Sequence, residues 1–406
     1  MPQFVDTLRS VLQFQPRESD ADLRRLRKAA NVEDLRTMAR RRLPRGVFDY
    51  IDGGADAEVS LHRNSQAFRD LEFKPRVLCD VASIEISSQL LGRPVAAPFA
   101  LAPTGFTRIA DPQGELAVAR AARRAQLPYT LSTLSTRSIE EVAAANSGSK
   151  WFQVYMWRDR TVVKSMLDRA AACGYEAAML TVDTAVFGKR DRDARRGFAL
   201  PPKIGPSTLI DGALHPRWTL DLLRNEPILF SNLIGADVSD GTEAVQLADI
   251  SAQFDQSVTW DDIGWLRDNW QGSIILKGIQ TVADAELAAS HNVDAIALSN
   301  HGGRQLDGSP APITLVQPVA EAVGGNIDII CDGGIRRGSD IVKAIALGAT
   351  ACTIGRAYLY GLAAAGERGV DHVLEMLRTD MLRTMALIGA RTLNDLTPGL
   401  IAQHHP

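Results

Sequence analysis

Val293-Asp294-Ala295-Ile296-Ala297-Leu298-Ser299-Asn300-His301-Gly302-Gly303-Arg304-Gln305 joins two kinds of sequence. The first six residues form a short, nearly continuous apolar run with the character of a buried strand. The next seven place an imidazole, a pair of glycines and a guanidinium at the mouth of that strand. An imidazole accepts a proton near neutral pH, glycines let backbone approach a flat ligand, and Arg304 offers a fork that matches a carboxylate. Taken alone, His301 and Arg304 could equally be solvent-facing residues of a glycine turn. The rest of the chain decides between the two.

From Pro98 the pattern repeats. Apolar runs occur at Phe99-Ala100-Leu101-Ala102, Tyr129-Thr130-Leu131-Ser132, Trp151-Phe152-Gln153-Val154-Tyr155 and Ala177-Ala178-Met179-Leu180-Thr181-Val182-Asp183. They continue at Ser273-Ile274-Ile275-Leu276-Lys277, Ala295 to Asn300, Ile327-Asp328-Ile329-Ile330-Cys331-Asp332 and Ala351-Cys352-Thr353-Ile354-Gly355-Arg356. Helical patterns separate them, for example Gly114 to Arg124, Asp159 to Ala172 and Ser339 to Leu347. Strands alternating with helices imply right-handed βαβ units and a parallel sheet. Eight such units predict an α/β protein, a closed (β/α)₈ TIM barrel. Nearly every run ends in groups that a core strand does not need: Pro103-Thr104, Ser132, Gln153 and Tyr155, Thr181 and Asp183, Lys277, Ser299 and His301, Asp332, and Gly355-Arg356. Any one could be a cap or a turn residue. All eight together mark the C-terminal rim, where such barrels carry their sites.

Composition bounds the rest. The 406 residues are 45% hydrophobic and 23% charged, which is ordinary for a globular chain. A net charge of −3 gives no reason to expect a nucleic-acid partner. Cys79, Cys173, Cys331 and Cys352 are scattered without metal spacing, so free thiols and no metal site are expected. The N-terminus has no apolar core of signal-peptide length, and no window approaches the ~18 apolar residues of a membrane span. A cytoplasmic location follows as the expectation. Residues 1–95 read as a charged helical segment packed on the barrel. Within it a helix runs into Gly53-Gly54 and must end there, which puts Tyr50 in its last turns. The barrel is assigned to 96–390 and a tail to 391–406. The barrel is interrupted by a proline-rich insertion at 184–258 with a partly apolar stretch at Trp218-Thr219-Leu220-Asp221-Leu222-Leu223. Loops of such length are commonly lids or binding elements; this one is read as a lid or docking segment able to touch a membrane surface.

The strand ends also indicate chemistry. Asp332-Gly333-Gly334-Ile335-Arg336-Arg337-Gly338 and Ile354-Gly355-Arg356 are glycine-opened loops that carry arginine into helical sequence. Backbone N–H groups at a helix start, with guanidinium beside them, form an anion site. Neither the dinucleotide fingerprint nor the P-loop is present, so a mononucleotide such as FMN fits best. Lys277 has two readings: a Schiff-base lysine of an aldolase or lyase, or a positive charge beside a ring that becomes anionic. Ser132, Gln153 and Thr181 favour the second, since their amide and hydroxyl groups suit the edge of a heterocycle. Arg190 and Arg304, with Tyr50 and Tyr155, are suited to a carboxylate and an adjacent oxygen. Asp183 could pair with His301 and make it the general base on a 2-hydroxy acid.

At these residues the chain resembles the FMN-dependent L-2-hydroxy acid dehydrogenase/oxidase family. The Ser-Asn-His-Gly-Gly-Arg-Gln run at 299–305 matches the family's signature, and the likeness extends from Phe48-Asp49-Tyr50 to Gly355-Arg356. The resemblance implies that Pro103, Thr104 and Gly105, with Ser132, Gln153, Thr181, Lys277 and Ser299, surround the flavin ring. It implies that Asp332, Gly333, Gly334, Arg336, Gly355 and Arg356 hold the ribityl phosphate. Tyr50, Tyr155, Arg190 and Arg304 would bind substrate, with His301 as base and Asp183 as its partner. Position 105 is Gly where the oxidases commonly carry Ala, and position 134 is Leu where glycolate oxidases carry Trp. Both departures suggest a dehydrogenase. The run Pro103 to Arg108 and the charged N-terminal extension look most like the quinone-linked L-lactate dehydrogenases of actinobacteria. The resemblance therefore implies oxidation of L-lactate and a quinone acceptor; barrels of this class often form tetramers, so a homotetramer is expected, and the insertion at 184–258 suggests a peripheral place at the inner membrane face. An oxidase that reduces O2 to H2O2, a mandelate-type dehydrogenase and the Lys277 aldolase remain as alternatives.

Overall fold

A computed structural model of the chain describes residues 19–196, 205–233 and 252–403. The eight apolar runs are strands: β1 (Phe99–Leu101), β2 (Tyr129–Ser132), β3 (Lys150–Val154), β4 (Ala177–Thr181), β5 (Ser273–Ile279), β6 (Ala295–Leu298), β7 (Asp328–Asp332) and β8 (Ala351–Ile354). They close a barrel in the order β7-β8-β1-β2-β3-β4-β5-β6, every pair parallel. The (β/α)₈ expectation is met.

The alternation of side chains along a strand explains how this barrel builds a site. Ala100, Trp151, Ala177, Met179, Ile275, Ala295, Ala297, Ile330 and Ala351 form one buried cluster inside the barrel. Two residues beyond a member of that cluster stand Gln153, Thr181, Lys277, Ser299, Asp332 and Thr353. The face that fills the barrel thus turns polar at one end. The other strand face packs outward against helices such as Gly114–Arg124, Arg160–Ala172, Ile313–Val323 and Gly338–Ala346. Side chains of Ser138, Asp159 and Thr281 accept backbone N–H bonds at the starts of three helices.

The barrel's other end is closed by a hairpin, Ser88–Leu90 with Arg93–Val95, whose Leu90 and Val95 join the interior cluster. The sequence predicts helix over residues 1–95; among the described residues of that segment helices end at Arg69, and three short strands follow. The hairpin turns on Leu91 and Gly92, both at positive φ (53° and 70°). That is the backbone of a tight two-residue turn, made here without the usual Asn-Gly. The strand Leu71–Phe73 pairs antiparallel with Ile401–Gln403, at the end of the described chain.

Helices Ala21–Leu26, Val32–Arg42, Arg45–Asp52 and Val59–Arg69 lie before these strands, and a kinked helix, Arg356–Ile388, packs against Val32–Arg42. In the insertion, helices occupy Asp191–Arg196, Pro206–Leu214 and Pro216–Arg224; residues 197–204 and 234–251 of it lie outside the described residues.

Candidate active site

The polar strand ends converge on a cleft of about 1270 Å³, open mouth included. Of the residues singled out from sequence, Tyr50, Pro103, Thr104, Gly105, Ser132, Gln153, Tyr155, Thr181, Arg190, Lys277, His301, Arg304, Asp332, Gly333, Gly334, Arg336, Gly355 and Arg356 all line it. Asp183 and Ser299 stand one layer behind, each bonded to a lining residue.

His301 opens a turn of three left-handed residues, with φ of 58° at His301, 65° at Gly302 and 74° at Gly303. A Cβ at Gly303 would lie 2.5 Å from the Leu61 amide nitrogen, so the turn cannot be made with another residue there. His301 Nδ1 lies 3.1 Å from Asp183 Oδ1. Asp183 reaches that position because β5 bulges at Gly278, where a Cβ would meet Asp183 Cβ at 2.7 Å. Burial lowers the proton affinity of His301, Asp183 opposes it, and the balance leaves the imidazole below its ordinary 6.5. For Asp183, burial is outweighed by His301 and Lys277, which hold the carboxyl below its ordinary range. At neutral pH the pair is therefore a neutral imidazole backed by a carboxylate, the form that accepts a proton.

Two hydrogen-bond chains run around the rim. Lys277 Nζ donates to Ser299 Oγ at 3.0 Å, Ser299 Oγ donates to Asp332 Oδ2 at 2.6 Å, and Thr353 Oγ1 donates to Asp332 Oδ1 at 2.8 Å. This links β5 to β8. Ser132 Oγ donates to Gln153 Oε1 at 3.1 Å, and Gln153 Nε2 donates to Thr181 Oγ1 at 2.9 Å, linking β2 to β4. Side chains fixed in this way present donors and acceptors without reorganising.

Cations crowd the rest of the cleft. The guanidinium carbons of Arg190 and Arg304 lie 5.5 and 5.2 Å from the centre of the Tyr50 ring. Burial, with Arg190 and Arg356 nearby, pushes Arg304 down to about 9, which still leaves it cationic at neutral pH. Burial likewise lowers Arg356. Arg304 Nη1 donates to the carbonyls of Tyr50 (2.7 Å) and Gly53 (3.1 Å), and Arg356 donates to those of Ile51, Gly302 and Gly53. Clustered cations aimed by carbonyls call for an anion. Tyr155 stacks on Phe254 at 4.7 Å, and burial pushes its hydroxyl up, so it stays protonated as a donor. Among the described residues no cluster of His, Cys, Asp and Glu could hold a metal.

A family model for FMN-dependent dehydrogenases matches residues 39–403. The chain belongs to that family. Over 400 residues it is 47% identical to a protein of Mycobacterium tuberculosis provisionally named an L-lactate dehydrogenase, covering 98% of this chain and 95% of that one. The (S)-mandelate dehydrogenase of Pseudomonas putida is 42% identical over 369 residues, covering 91% and 92%. The solved structure of the monotopic membrane protein (S)-mandelate dehydrogenase matches with a TM-score of 0.89 at 40% identity, over 93% of this chain and 100% of that one.

The cofactor of this FMN-dependent dehydrogenase is thus FMN, and the cleft suits it. One end offers amide, hydroxyl and ammonium groups for the edge of a flat heterocycle. The other offers Arg336 and Arg356, the loop at Gly333 and Gly334 (φ 99° and 83°), and the start of the helix that follows Gly355. That pairing is the donor set of a ring joined to a phosphate.

Sequence reasoning missed the groups that hold this rim in place. Asn64 and Asn300 exchange reciprocal side-chain bonds of 2.8 and 2.7 Å across 236 positions, and Asn300 Oδ1 also accepts the Gly303 amide at 2.9 Å. Glu115, fully buried, accepts from the Thr136 amide and hydroxyl and from the Thr107 amide, which joins the loops after β1 and β2. Asn300 lies in the quoted signature, yet nothing local identifies its partner.

Proposed function

We propose that this FMN-dependent dehydrogenase oxidises an L-2-hydroxy acid, L-lactate first among them, to the 2-oxo acid. The observation that carries the reading is the placement of a proton-accepting His301–Asp183 pair and the Arg190–Arg304–Tyr50 cation cluster in one cleft. A 2-hydroxy acid presents a carboxylate and a hydroxyl on adjacent carbons, and the two groups of side chains match them. Arg304 and Arg190, with Tyr50, would grip the carboxylate. Tyr155 would donate to it or to the hydroxyl oxygen. His301 would take the hydroxyl proton at Nε2, since Nδ1 faces Asp183, and Asp183 would stabilise the resulting imidazolium. Pro103, Thr104, Gly105, Ser132, Gln153, Thr181 and Lys277, with Ser299 behind, would border the ring of FMN. Asp332, Gly333, Gly334, Arg336, Gly355 and Arg356 would hold its ribityl phosphate. When bound, FMN supplies an acceptor for the two electrons released as the alcohol becomes a carbonyl. The ion pair of Lys277 with Asp332 at 3.4 Å supports Lys277 as a fixed charge and not as a Schiff-base amine.

Lactate is favoured over larger acids by the L-lactate dehydrogenase name of the 47% identical relative. A quinone is the acceptor we assign, supported by Gly105 in place of the Ala common in oxidases. Anaerobic mixing with L-lactate, L-mandelate and glycolate tests the reading: flavin absorbance should bleach fastest with L-lactate. No bleaching with any of the three would overturn it. Re-oxidation of the bleached enzyme should be faster with a soluble quinone than with air, and the reverse would make it an oxidase.

The insertion supports a membrane-facing role. Leu209, Ile210, Leu214 and Leu223 on its two nine-residue helices are 63%, 63%, 70% and 75% exposed, apolar side chains of the kind that insert at a membrane surface. The structural neighbour described as a monotopic membrane protein agrees with that role. Among the described residues no helix is long and apolar enough to cross a membrane. Sedimentation with lipid vesicles should carry the protein down, and Ile210→Ser with Leu223→Ser should leave it in the supernatant. A homotetramer is our proposal for the assembly, checked by light scattering on the eluted enzyme.

A further inference from the structure

Two places beyond Arg190, Arg192 makes contacts that the reaction scheme does not use. It lies in helix Asp191–Arg196 at the start of the insertion. Its guanidinium leaves the insertion and spans two carboxylates of the N-terminal segment. Nη1 donates to Asp52 Oδ2 at 2.9 Å, and Nη2 donates to Glu58 Oε2 at 2.5 Å. Both acceptors are nearly sealed from water, their side chains 3% and 12% exposed.

Neither carboxylate is loose. Asp52 also accepts from Arg36, at 2.5 and 2.9 Å, and from the Tyr360 hydroxyl at 2.7 Å. Glu58 Oε1 accepts the Gly54 amide at 2.9 Å. The two acids therefore bracket the turn that follows Tyr50, and the Gly53 carbonyl inside it receives both Arg304 and Arg356. One backbone bond runs beside the bridge, from the Asp56 amide to the Lys189 carbonyl at 2.9 Å.

Arg190 itself is weakly restrained. Its Nη1 reaches Asp193, in the short helix that follows it, only at 3.4 Å, and its Nε has no hydrogen-bond partner. Six residues cannot sustain a helix by their own hydrogen bonds, so what the helix docks against decides where Arg190 sits. We propose that Arg192 is a positioning residue: by bridging Asp52 and Glu58 it fixes Arg190 relative to Tyr50 and sets the carboxylate grip without touching substrate. The inference rests on the assignment of Arg190 and Tyr50 to the substrate carboxylate. Two separate acceptors need a fork, which an ammonium cannot replace in full.

The test uses the FMN-loaded enzyme with L-lactate as substrate and oxalate as an unreactive carboxylate whose binding perturbs the flavin spectrum. A grip made equally to bound substrate and transition state, when weakened, raises KM and leaves kcat. Arg192→Gln should raise KM and the oxalate Kd about tenfold, with kcat within about threefold and FMN content unchanged. Arg192→Lys should fall between the two. Glu58→Gln keeps the acceptor for Gly54 and should shift KM the same way by a smaller factor, which covers the case in which Arg192→Gln does not fold. If Arg190→Met raises KM while Arg192→Gln and Glu58→Gln keep wild-type KM and oxalate affinity, the positioning role is wrong. If Arg190→Met itself keeps wild-type KM, the carboxylate assignment falls and the inference with it. Parallel loss of FMN, kcat and thermal stability in Arg192→Gln would reduce the bridge to a purely structural one and also overturn the proposal.

Discussion

Two regions meet at the cleft, and they are built by different rules. The rim draws its groups from strand periodicity: one face fills the barrel with Ala, Ile, Met and Trp, then ends in Gln153, Thr181, Lys277 and Asp332. The segment from Tyr50 to Asn64 has no such rule. It contributes mostly carbonyls, two acids and an amide, and it fastens three rim loops at once. The Tyr50, Ile51 and Gly53 carbonyls accept from Arg304 and Arg356, the Ala55 amide donates to the Gly303 carbonyl, and Asn64 pairs with Asn300. The rim carries the chemistry and the segment decides where it stands.

If that division holds, rim variants should lose rate while keeping the fold, and segment variants should lose stability or affinity first. The largest rate effect is expected at His301. A general base contributes about 10²- to 10⁴-fold, so His301→Gln should slow anaerobic flavin reduction by that factor while FMN stays bound. A wild-type reduction rate in stopped flow would remove His301 from the role. In the segment, Asp52→Asn leaves Arg36 and Arg192 facing a neutral amide; each keeps a second carboxylate, Glu33 and Glu58, so the loss should be about 1–3 kcal/mol. Urea unfolding of the holoenzyme measures it, and an unchanged midpoint would mean that the network holds nothing. Arg304→Lys lies on the boundary between the regions. Losing the fork removes a charge-assisted bond worth about 1.5 kcal/mol or more, so KM should rise at least about tenfold, with a smaller change in unfolding. An unchanged KM would show that the fork is used only for the Tyr50 and Gly53 carbonyls.

The same division explains what the sequence made legible. Barrel closure and the rim residues follow from local pattern, because a strand's register carries each polar side chain to the cleft whatever its neighbours do. Asp183 and His301 were legible as a pair since both end strands at one rim. Asn64, Glu115 and Arg192 were not. Each acts through a partner far along the chain, and a buried amide or acid leaves no periodic trace of which carbonyl or amide it will meet. The Leu91–Gly92 turn was hidden for a related reason: its positive φ at Leu91 is imposed by the plug that it closes, not by a turn-forming residue.

Acid separates the two regions most finely, because their titrating groups lie in different ranges. His301 must be unprotonated to accept a proton, and burial holds it below 6.5 despite Asp183. Accordingly kcat/KM should be flat around neutral pH and fall as pH drops through an apparent pKa below 6.5. At Asp52, burial raises the carboxyl, but Arg36, Tyr360 and Arg192 together outweigh it and hold the group far below its ordinary 3.8. A depressed carboxyl contributes stability that is fully present above its unfolded value and lost as pH falls toward the folded one. The segment should thus stay intact through the range in which the rim stops working. Measured side by side, activity should be lost first and the unfolding midpoint only below about pH 4. Coincident loss of both would mean that rim and segment melt as one unit, and the distinction between chemistry and placement would have no basis.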